Sequence, residues 1–485
     1  MVTRPQPALA LLASALLLAA CGESETGPVA VSAIGGPPRI VNPNREPLDP
    51  ASATLLEAAA QGLVRFDSGG EIEPALAQRW IVSDDGLRYT FRLGKANWNG
   101  GGRVTAEQAV ARLKAAAAAS SRNPLKPILG AIDEIVAMTD DVLEISLKSP
   151  RPNFLQLLAQ PEMAIVRNGQ GAGPYRPEGL TDGSVRLSLP SRDEEEDSDD
   201  PAPVVLLRGE SAAAGIARFA ERQSDLVLGG TLGDLPLARA AGAPTAQLRF
   251  DPVGGLFGLA FVAPEGPFAE VDTRQALAMA IDRPALAAAL GVPGLQQRQS
   301  LLPSGIEGLG QVSAPAWILD PLPERRARAA ALLRDSGGDG GRLKVRVALP
   351  PGPGYRLVFA HLRRDWAAVG VEALPAGPGA PADLRLIDEV APAGLASWYL
   401  RHFSCESSRV CDPAADEMMA AARIAPDAAT RRGLLANADR ILAGLGPFIP
   451  LTTPIRWSLV APRLTGFRPN AFGRHPAGEL VAAEP

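Results

Sequence analysis

The clearest hydrophobic pattern of the chain lies between residues 50 and 120, where its period changes along the sequence. Residues 55–66 are rich in Leu and Ala and predict a helix that is followed by a polar turn. In residues 87–93 apolar and polar side chains alternate, which is typical of a strand with one buried face. Thr105 precedes an Ala-rich run and predicts an N-capped helix over residues 106–119. The region is therefore predicted to be a compact module of helices and strands.

Strand-like and helix-like runs continue to alternate along the rest of the chain. Apolar runs at 204–207 and 226–228 flank a helical pattern at 212–223. A strand pattern at 343–349 precedes a helical pattern at 357–369 and another strand at 371–374. Such alternation is typical of α/β units, and it predicts a second α/β lobe in the C-terminal half.

Composition narrows the functional classes. The 485 residues suggest two to three domains, and 46% hydrophobic with 21% charged residues is ordinary for a globular protein. The net charge of -5, without a cluster of Lys and Arg, argues against nucleic-acid binding. A nearly unbroken acidic run at 193–200 predicts a solvated loop, with cation binding as the less favoured alternative.

The N-terminus has the pattern of a secretory signal. Arg4 precedes an apolar run at 8–20, which is short for a membrane span, and residues 18–21 read Leu-Ala-Ala-Cys. This ending resembles the lipobox of bacterial lipoproteins, in which Cys21 would be diacylated and become the mature N-terminus. The alternative is an ordinary signal peptide with an incidental Cys21. Residues 22–34 are interpreted as a polar tether between the anchor and a soluble body outside the cytoplasm.

Residues 62–107 resemble family 5 of the extracellular solute-binding proteins of ABC importers; this segment runs from Gly-Leu-Val-Arg-Phe-Asp to Val-Thr-Ala-Glu. This family contains dipeptide- and oligopeptide-binding proteins. A second match covers residues 267–283, which read Pro-Phe through Ala-Ile-Asp-Arg. The charged residues of this second match, Arg274, Asp282 and Arg283, are interpreted as structural, with ligand contact as the alternative. The resemblance extends from about residue 35 to residue 472.

The resemblance implies an α/β fold of two lobes, periplasmic-binding-protein-like and of type II, with an extra α/β domain and mixed sheets flanked by helices. The expected divisions are a signal peptide at 1–21, a tether at 22–34, a discontinuous main lobe at 35–48, 163–256 and 452–485, an inserted accessory domain at 49–162, and a second lobe at 257–451. Residues 257–262 and 443–451 are expected to cross between the lobes.

The family also suggests where a ligand would bind. In peptide-binding relatives a Trp-x-x-Asp segment supplies an Asp for the ligand's amino terminus. The matching residues 383–392 lack that Trp, so Asp388 and Glu389 are its candidate replacements. Trp398 and Tyr399 are the candidate stacking walls and Arg401 the candidate anion partner. The alternative for these three is core packing and a surface cation.

Two further residues complete the candidate ligand site. Residues 37–44 are expected to form one short strand and then a loop near the ligand, which makes Asn44 a candidate contact. Phe261 occupies a strand position where relatives often carry a polar residue, which favours a more apolar ligand.

Cys405 and Cys411 lie close together in a Ser-rich stretch, and in an oxidising compartment they are predicted to form a disulfide. A metal site with the nearby His402 is the alternative, but no paired Cys-x-x-Cys or His-x-x-His motif supports it. We therefore predict no metal.

The sequence contains no His-Glu-x-x-His, Gly-x-Ser-x-Gly or Walker motif, so we predict no catalytic residue and no cofactor. The resulting hypothesis is a monomeric lipid-anchored receptor, which captures a small solute, possibly a peptide, and delivers it to an ABC permease. The alternatives are an envelope lipoprotein that reuses the fold as a scaffold or chaperone, and a hydrolase.

Overall fold

The computed structural model describes residues 27–151, 153–190, 204–334, 336, 342–377 and 379–480. The expected signal peptide with Cys21 and the acidic run at 193–200 lie outside the described residues. Within the described ranges, no helix combines the length and the apolar character that a membrane crossing requires.

The described strands, in chain order, are β1 (Val29–Ile34), β2 (Val64–Phe66), β3 (Ile72–Pro74), β4 (Ala77–Val82), β5 (Arg88–Leu93), β6 (Ile132–Thr139), β7 (Val142–Leu147), β8 (Arg176–Gly179), β9 (Val185–Ser188), β10 (Val205–Glu210), β11 (Leu226–Thr231), β12 (Leu248–Asp251), β13 (Gly255–Phe261), β14 (Lys344–Ala348), β15 (Glu372–Ala376), β16 (Leu384–Val390), β17 (Phe448–Thr452) and β18 (Arg456–Val460). The described α-helices are α1 (Pro50–Ala59), α2 (Ala106–Ala117), α3 (Lys126–Leu129), α4 (Phe154–Leu158), α5 (Ala212–Ala220), α6 (Leu235–Ala240), α7 (Val271–Ala280), α8 (Arg283–Leu290), α9 (Leu322–Leu333), α10 (Pro353–Ala367), α11 (Ala396–Arg401), α12 (Pro413–Arg423) and α13 (Ala428–Leu445).

The main lobe is built on a mixed seven-stranded sheet of order β12-β18-β11-β1-β10-β9-β8. Its central strand β1 pairs in parallel with β10 and β11, so the expectation that residues 22–34 form a tether is wrong for Val29–Ile34. A central strand is covered on both faces, and its sequence therefore lacks a strong contrast between apolar and polar positions. The short strand expected within residues 37–44 is also absent, because β1 supplies the strand and this segment forms turns.

The accessory module contains a four-stranded antiparallel sheet of order β4-β5-β7-β6. Tyr89, Phe91 and Leu93 of β5 are buried, which confirms the alternating strand predicted here. The predicted cap of α2 is also confirmed, since Thr105 and Gln108 form a capping box. The helix predicted at 55–66 is wrong at its end, because the chain leaves α1 through Gln61 at φ 57° and enters strand β2.

The second lobe is built on a mixed five-stranded sheet of order β15-β14-β16-β13-β17. Residues 257–262 and 443–451 were expected to cross between the lobes, but the strands β13 and β17 lie within this sheet. The connections to the main sheet are instead the short segments 252–254 and 453–455. The expected crossing segments therefore lie a few residues too far into the second lobe compared with the connections that the structure shows.

Two buried arginines tie α7 and α8 to the end of α13 and to β17. Arg274 donates to the carbonyl oxygens of Leu445 and Phe268, and Arg283 donates to that of Pro450 at 2.8 Å. Burial, reinforced by neighbouring charge, lowers the pKa of Arg283 to about 9. These contacts confirm the structural interpretation of both residues.

Candidate functional site

The accessory module meets the second lobe along a boundary crossed by hydrogen bonds from side chains to backbone carbonyls. All donors belong to residues 149–160, and the acceptors lie just after β16 and at the end of α12. Among the described residues the bonds are Gln160 Nε2 to Pro392 O (2.7 Å), Asn153 Nδ2 to Gly394 O (2.9 Å), Arg151 Nη2 to Arg423 O (3.0 Å) and Ser149 Oγ to Arg423 O (3.1 Å). The accessory module and the second lobe are therefore in contact.

Beside these bonds lies a cavity of about 470 Å³, which we call the boundary cavity. One wall comes from the accessory module, from the end of α2 through α3 and Arg151. The other wall comes from α11, α12, α13 and the loop between α11 and α12. Its size falls within the range of small-molecule sites, and it lies between the accessory module and the second lobe.

The walls of the boundary cavity are rich in positive charge. Five basic side chains line it, against two acidic ones, Glu406 and Asp416. The basic residues are Lys126, Arg151, Arg401, Arg423 and Arg431. Arg431 is already neutralised, because it forms a buried ion pair with Glu307. The cavity therefore retains a net positive lining.

The guanidinium of Arg401 stands out on the second-lobe wall. It forms no hydrogen bond or ion pair with any residue that the structure describes, and its Nε is buried. Burial lowers the pKa of Arg401, while the nearby Glu406 acts in the opposite direction. The candidate anion partner thus lines a cavity without a protein partner of its own.

Helix α11 carries Arg401 and is fixed in place from both sides. The backbone N–H of Ala396, its first residue, donates to Glu307 Oε2 at 2.7 Å. Trp398 and Tyr399 are 6% and 2% exposed, and their rings pack edge to face at 4.9 Å. In this structure these two aromatic side chains belong to the core that supports α11 and do not line the boundary cavity.

Asp388 and Glu389 point to different surroundings, as expected for neighbours on a strand. Asp388 is 6% exposed, and its carboxylate accepts from Tyr355 Oη and Arg456 Nη1, both at 2.7 Å. Because Arg456 begins β18 of the main lobe, Asp388 joins the two lobes at their connection. Glu389 is exposed and accepts from His402 Nε2 at 3.1 Å, a bond that lowers the pKa of Glu389.

The remaining candidate residues lie away from the boundary cavity. Phe261 is 1% exposed and borders a second cavity of about 480 Å³ within the second lobe, which Arg401 also lines. Asn44 Oδ1 accepts from Asn123 Nδ2 at 2.9 Å, and this bond joins the main lobe to the accessory module. Of the seven ligand candidates, the structure places Arg401 alone on the boundary cavity.

Cys405 and Cys411 are disulfide-bonded in the structure, with their Cα atoms 5.0 Å apart. The closed loop lies directly after α11, and Cys405 N–H donates to Asp416 Oδ2 at 3.0 Å. The loop therefore forms part of the frame around Arg401. No cluster of three or more His, Cys, Asp or Glu with metal-binding geometry occurs in the part of the chain that the structure describes.

Several residues of this site have no distinctive signal in the sequence. Arg151 stands between two prolines, and Arg423 and Arg431 belong to helical patterns in which a cation is ordinarily solvated. Glu307 lies in an irregular segment far from its partner Arg431 in sequence. Their grouping depends on the packing of the two lobes, so a local pattern could not reveal it.

Residues 71–378 match the family described as "Bacterial extracellular solute-binding proteins, family 5 Middle". The match covers more than half of the sequence, so the chain belongs to this family, as the resemblance indicated. The chain is 26% identical over 339 residues to the "Probable deoxycholate-binding periplasmic protein YgiS" of Escherichia coli, an alignment that spans 62% of each chain. It is 23% identical over 500 residues to the "Dipeptide-binding protein" of Pseudomonas aeruginosa, with 88% of this chain and 89% of the relative covered.

Solved structures match the fold over nearly the whole chain. Haemophilus influenzae OppA in complex with RPPGFSPFR matches with a TM-score of 0.76 at 19% identity, covering 93% of this chain and 97% of that one. Campylobacter jejuni NikZ in complex with Ni(L-His) matches with a TM-score of 0.73 at 17% identity, covering 94% and 98%. These likenesses confirm the predicted two-lobed periplasmic-binding-protein fold.

Proposed function

We propose that the protein is the solute-binding component of an ABC importer, which captures a small solute between its lobes and delivers it unaltered to a membrane permease. The observation that carries this proposal is the boundary cavity, whose walls come from two different lobes of a chain belonging to a solute-binding family. No cofactor is needed, because binding and release are the whole of the activity.

Closure of the lobes would rotate about the two connections at residues 252–254 and 453–455. Both segments are short, and they lie side by side between the main and second sheets. The accessory module and the main lobe would form one half of the clamp and the second lobe the other. Hinges of this kind let a few backbone angles absorb the closure of whole domains.

The relatives bind chemically different solutes, to judge from their names: a dipeptide, deoxycholate, and nickel with histidine. The solute class of this chain is therefore a peptide-like or other small molecule, selected by the residues of its own cavity. A monomer suffices for this activity, since each chain carries both walls of the cavity.

Native mass spectrometry of the mature chain tests the proposal. We expect a small molecule to remain bound after purification, and its mass to be unchanged after prolonged incubation with the protein. A ligand at a hundred times its Kd should add about 2.7 kcal/mol to the free energy of unfolding, which a thermal-shift screen of peptides, opines, sugars and metal chelates detects. Chemical conversion of the ligand, or failure of every class to bind, contradicts the proposal.

We place the protein in the cell envelope, held to a bacterial membrane by diacylation of Cys21. Two acyl chains give stable anchoring, whereas a single chain gives only reversible association. Labelled palmitate should be incorporated by the wild type and by Ser24→Ala but not by Cys21→Ala. Equal labelling of Cys21→Ala would show that the anchor is elsewhere.

A further inference from the structure

We propose that the boundary cavity selects a solute bearing an oxyanion group, a carboxylate or a phosphate, with Arg401 as its principal contact. This inference rests on the proposed function and specifies the chemistry of its ligand. It depends first on the partners that the protein gives to the arginines lining the cavity.

The arginines of the boundary cavity differ in how the protein satisfies them. Arg431 forms a buried ion pair with Glu307. The guanidinium of Arg151 donates to the carbonyl oxygens of Pro150 and Arg423. Arg401 and Arg423 have neither kind of partner among the described residues, but Arg423 is exposed, whereas Arg401 is partly buried and its Nε is fully so. A guanidinium removed from water without a partner is unfavourable, and a bound oxyanion would supply the missing acceptor.

The surrounding charges favour an anion over a cation. Lys126 donates to the carbonyl oxygens of Ala119 and Ser121, which carry no net charge, so these bonds place no anion beside it. Neither Lys126 nor Arg151 forms an ion pair with a carboxylate in the described ranges. On the acidic side, Asp416 Oδ2 accepts from the N–H of Cys405, while Asp416 Oδ1 is buried without a partner among the described residues. With Arg431 paired to Glu307, four basic side chains still face the two carboxylates of Asp416 and Glu406. The net field in the cavity is therefore positive.

The two walls would act together on such a solute. Arg401 belongs to the second lobe, whereas Lys126 and Arg151 belong to the accessory module. An anion between them is attracted from both sides only when the lobes are closed, so its binding would favour the closed arrangement. The planar fork of a guanidinium also matches the two oxygens of a carboxylate or phosphate.

Isothermal titration tests the proposal with paired probes: glutarate, its neutral diamide glutaramide, N-acetyl-Asp-Glu, its neutral analogue N-acetyl-Asn-Gln amide, and inorganic phosphate. We expect binding among the anionic probes and none by their neutral analogues. Whether glutarate, N-acetyl-Asp-Glu or phosphate binds most tightly distinguishes a carboxylate from a phosphate ligand. Binding confined to the neutral probes overturns the proposal but leaves the solute receptor intact. Failure of every anionic probe to bind also overturns it, whereas the receptor function falls only if native mass spectrometry and the wider thermal-shift screen find no ligand.

Variants locate the contact. Arg401→Gln should weaken binding of the anionic probe by roughly 10- to 100-fold, the loss expected for hydrogen bonds to a charged group. Arg401→Lys should restore part of the affinity, because it keeps the charge and loses the fork. Arg440→Gln removes an exposed guanidinium of α13 outside the cavity and should bind as the wild type does. Unchanged affinity in a folded Arg401→Gln would overturn the assignment.

Discussion

The ion pair between Glu307 and Arg431 is the most informative place to perturb the support of the candidate site. Both side chains are almost fully buried, with 6% and 8% of their surface exposed. Glu307 also accepts the N–H of Ala396, so one carboxylate holds the start of α11 and neutralises an arginine of α13. We predict that Glu307→Gln destabilises the second lobe and displaces α11.

The expected magnitude follows from burial. Removing one partner of a buried pair leaves the other charge in a poorly solvated place, which costs about 3–5 kcal/mol. Gln keeps the size of the side chain and can still accept from Ala396 N–H, so most of the loss should come from the isolated charge of Arg431. The double variant Glu307→Gln with Arg431→Met should recover much of it, because no unpaired charge remains.

Urea unfolding followed by tryptophan fluorescence measures this loss, with Glu265→Gln as the matched control. Glu265 pairs with Arg409 in the same lobe, but both side chains are largely exposed, at 74% and 68%. Exposed pairs contribute little, so the control should unfold like the wild type. If Glu307→Gln loses no more stability than Glu265→Gln, or if the double variant is worse than the single one, the reasoning about burial is refuted.

Three further predictions concern packing, the disulfide and pH. A Cβ at Gly354 would lie 1.8 Å from Leu232 O, so Gly354→Ala should lower the free energy of unfolding in urea by about 1–3 kcal/mol. Gly433 lies in an open helical position, so Gly433→Ala should raise the free energy of unfolding by roughly 0.5–1 kcal/mol. Replacing Cys405 and Cys411 by Ser should lower the free energy of unfolding by about 2 kcal/mol. A reductant should destabilise the wild type by a similar amount and have no effect on this double variant. Burial raises the pKa of Glu57, so the native state binds more protons than the unfolded chain between the unfolded pKa of about 4.3 and the raised native pKa. Stability should therefore fall as the pH rises through the native pKa, and Glu57→Gln should flatten that slope between pH 4 and 8; an unchanged slope would show that other groups control it.

Local structure could be predicted wherever local chemistry decides it. The alternation in β5 and the capping box of α2 depend on neighbours within a few residues, and both agree with the structure. The end of α1 could not be predicted, because Gln61 adopts a left-handed conformation that favours glycine in general. The path of the chain after Gln61 is decided by packing, since a Cβ at Gly62 would lie 2.7 Å from Leu158 O.

The candidate site was less predictable because its partners are distant in sequence. Asp388 was selected for a ligand's amino group, but its donors Tyr355 and Arg456 come from α10 and from the other lobe. The aromatic side chains of Trp398 and Tyr399 suit both a ligand cleft and a hydrophobic core. Which of the two they occupy depends on the residues that pack over them. Arg401 follows these two aromatic residues in the segment that the family resemblance singles out, and the structure places it on the boundary cavity; its role in binding stays a prediction.

The two sides of the lobe boundary are joined by different kinds of polar contact. On the side of the connections, Asp388 and Arg456 form a largely buried ion pair, and Gly354 N–H donates to Gly233 O at 3.1 Å. On the side of the boundary cavity, the accessory module and the second lobe are joined by hydrogen bonds from single side chains to carbonyls, each with a net contribution of about 1 kcal/mol, and they share a cluster of buried apolar side chains. A solute bound with a micromolar Kd supplies about 8 kcal/mol, which exceeds what these bonds contribute together. A bound solute would therefore add substantially to the contacts that hold the lobes closed, with the connections at residues 252–254 and 453–455 as the pivot.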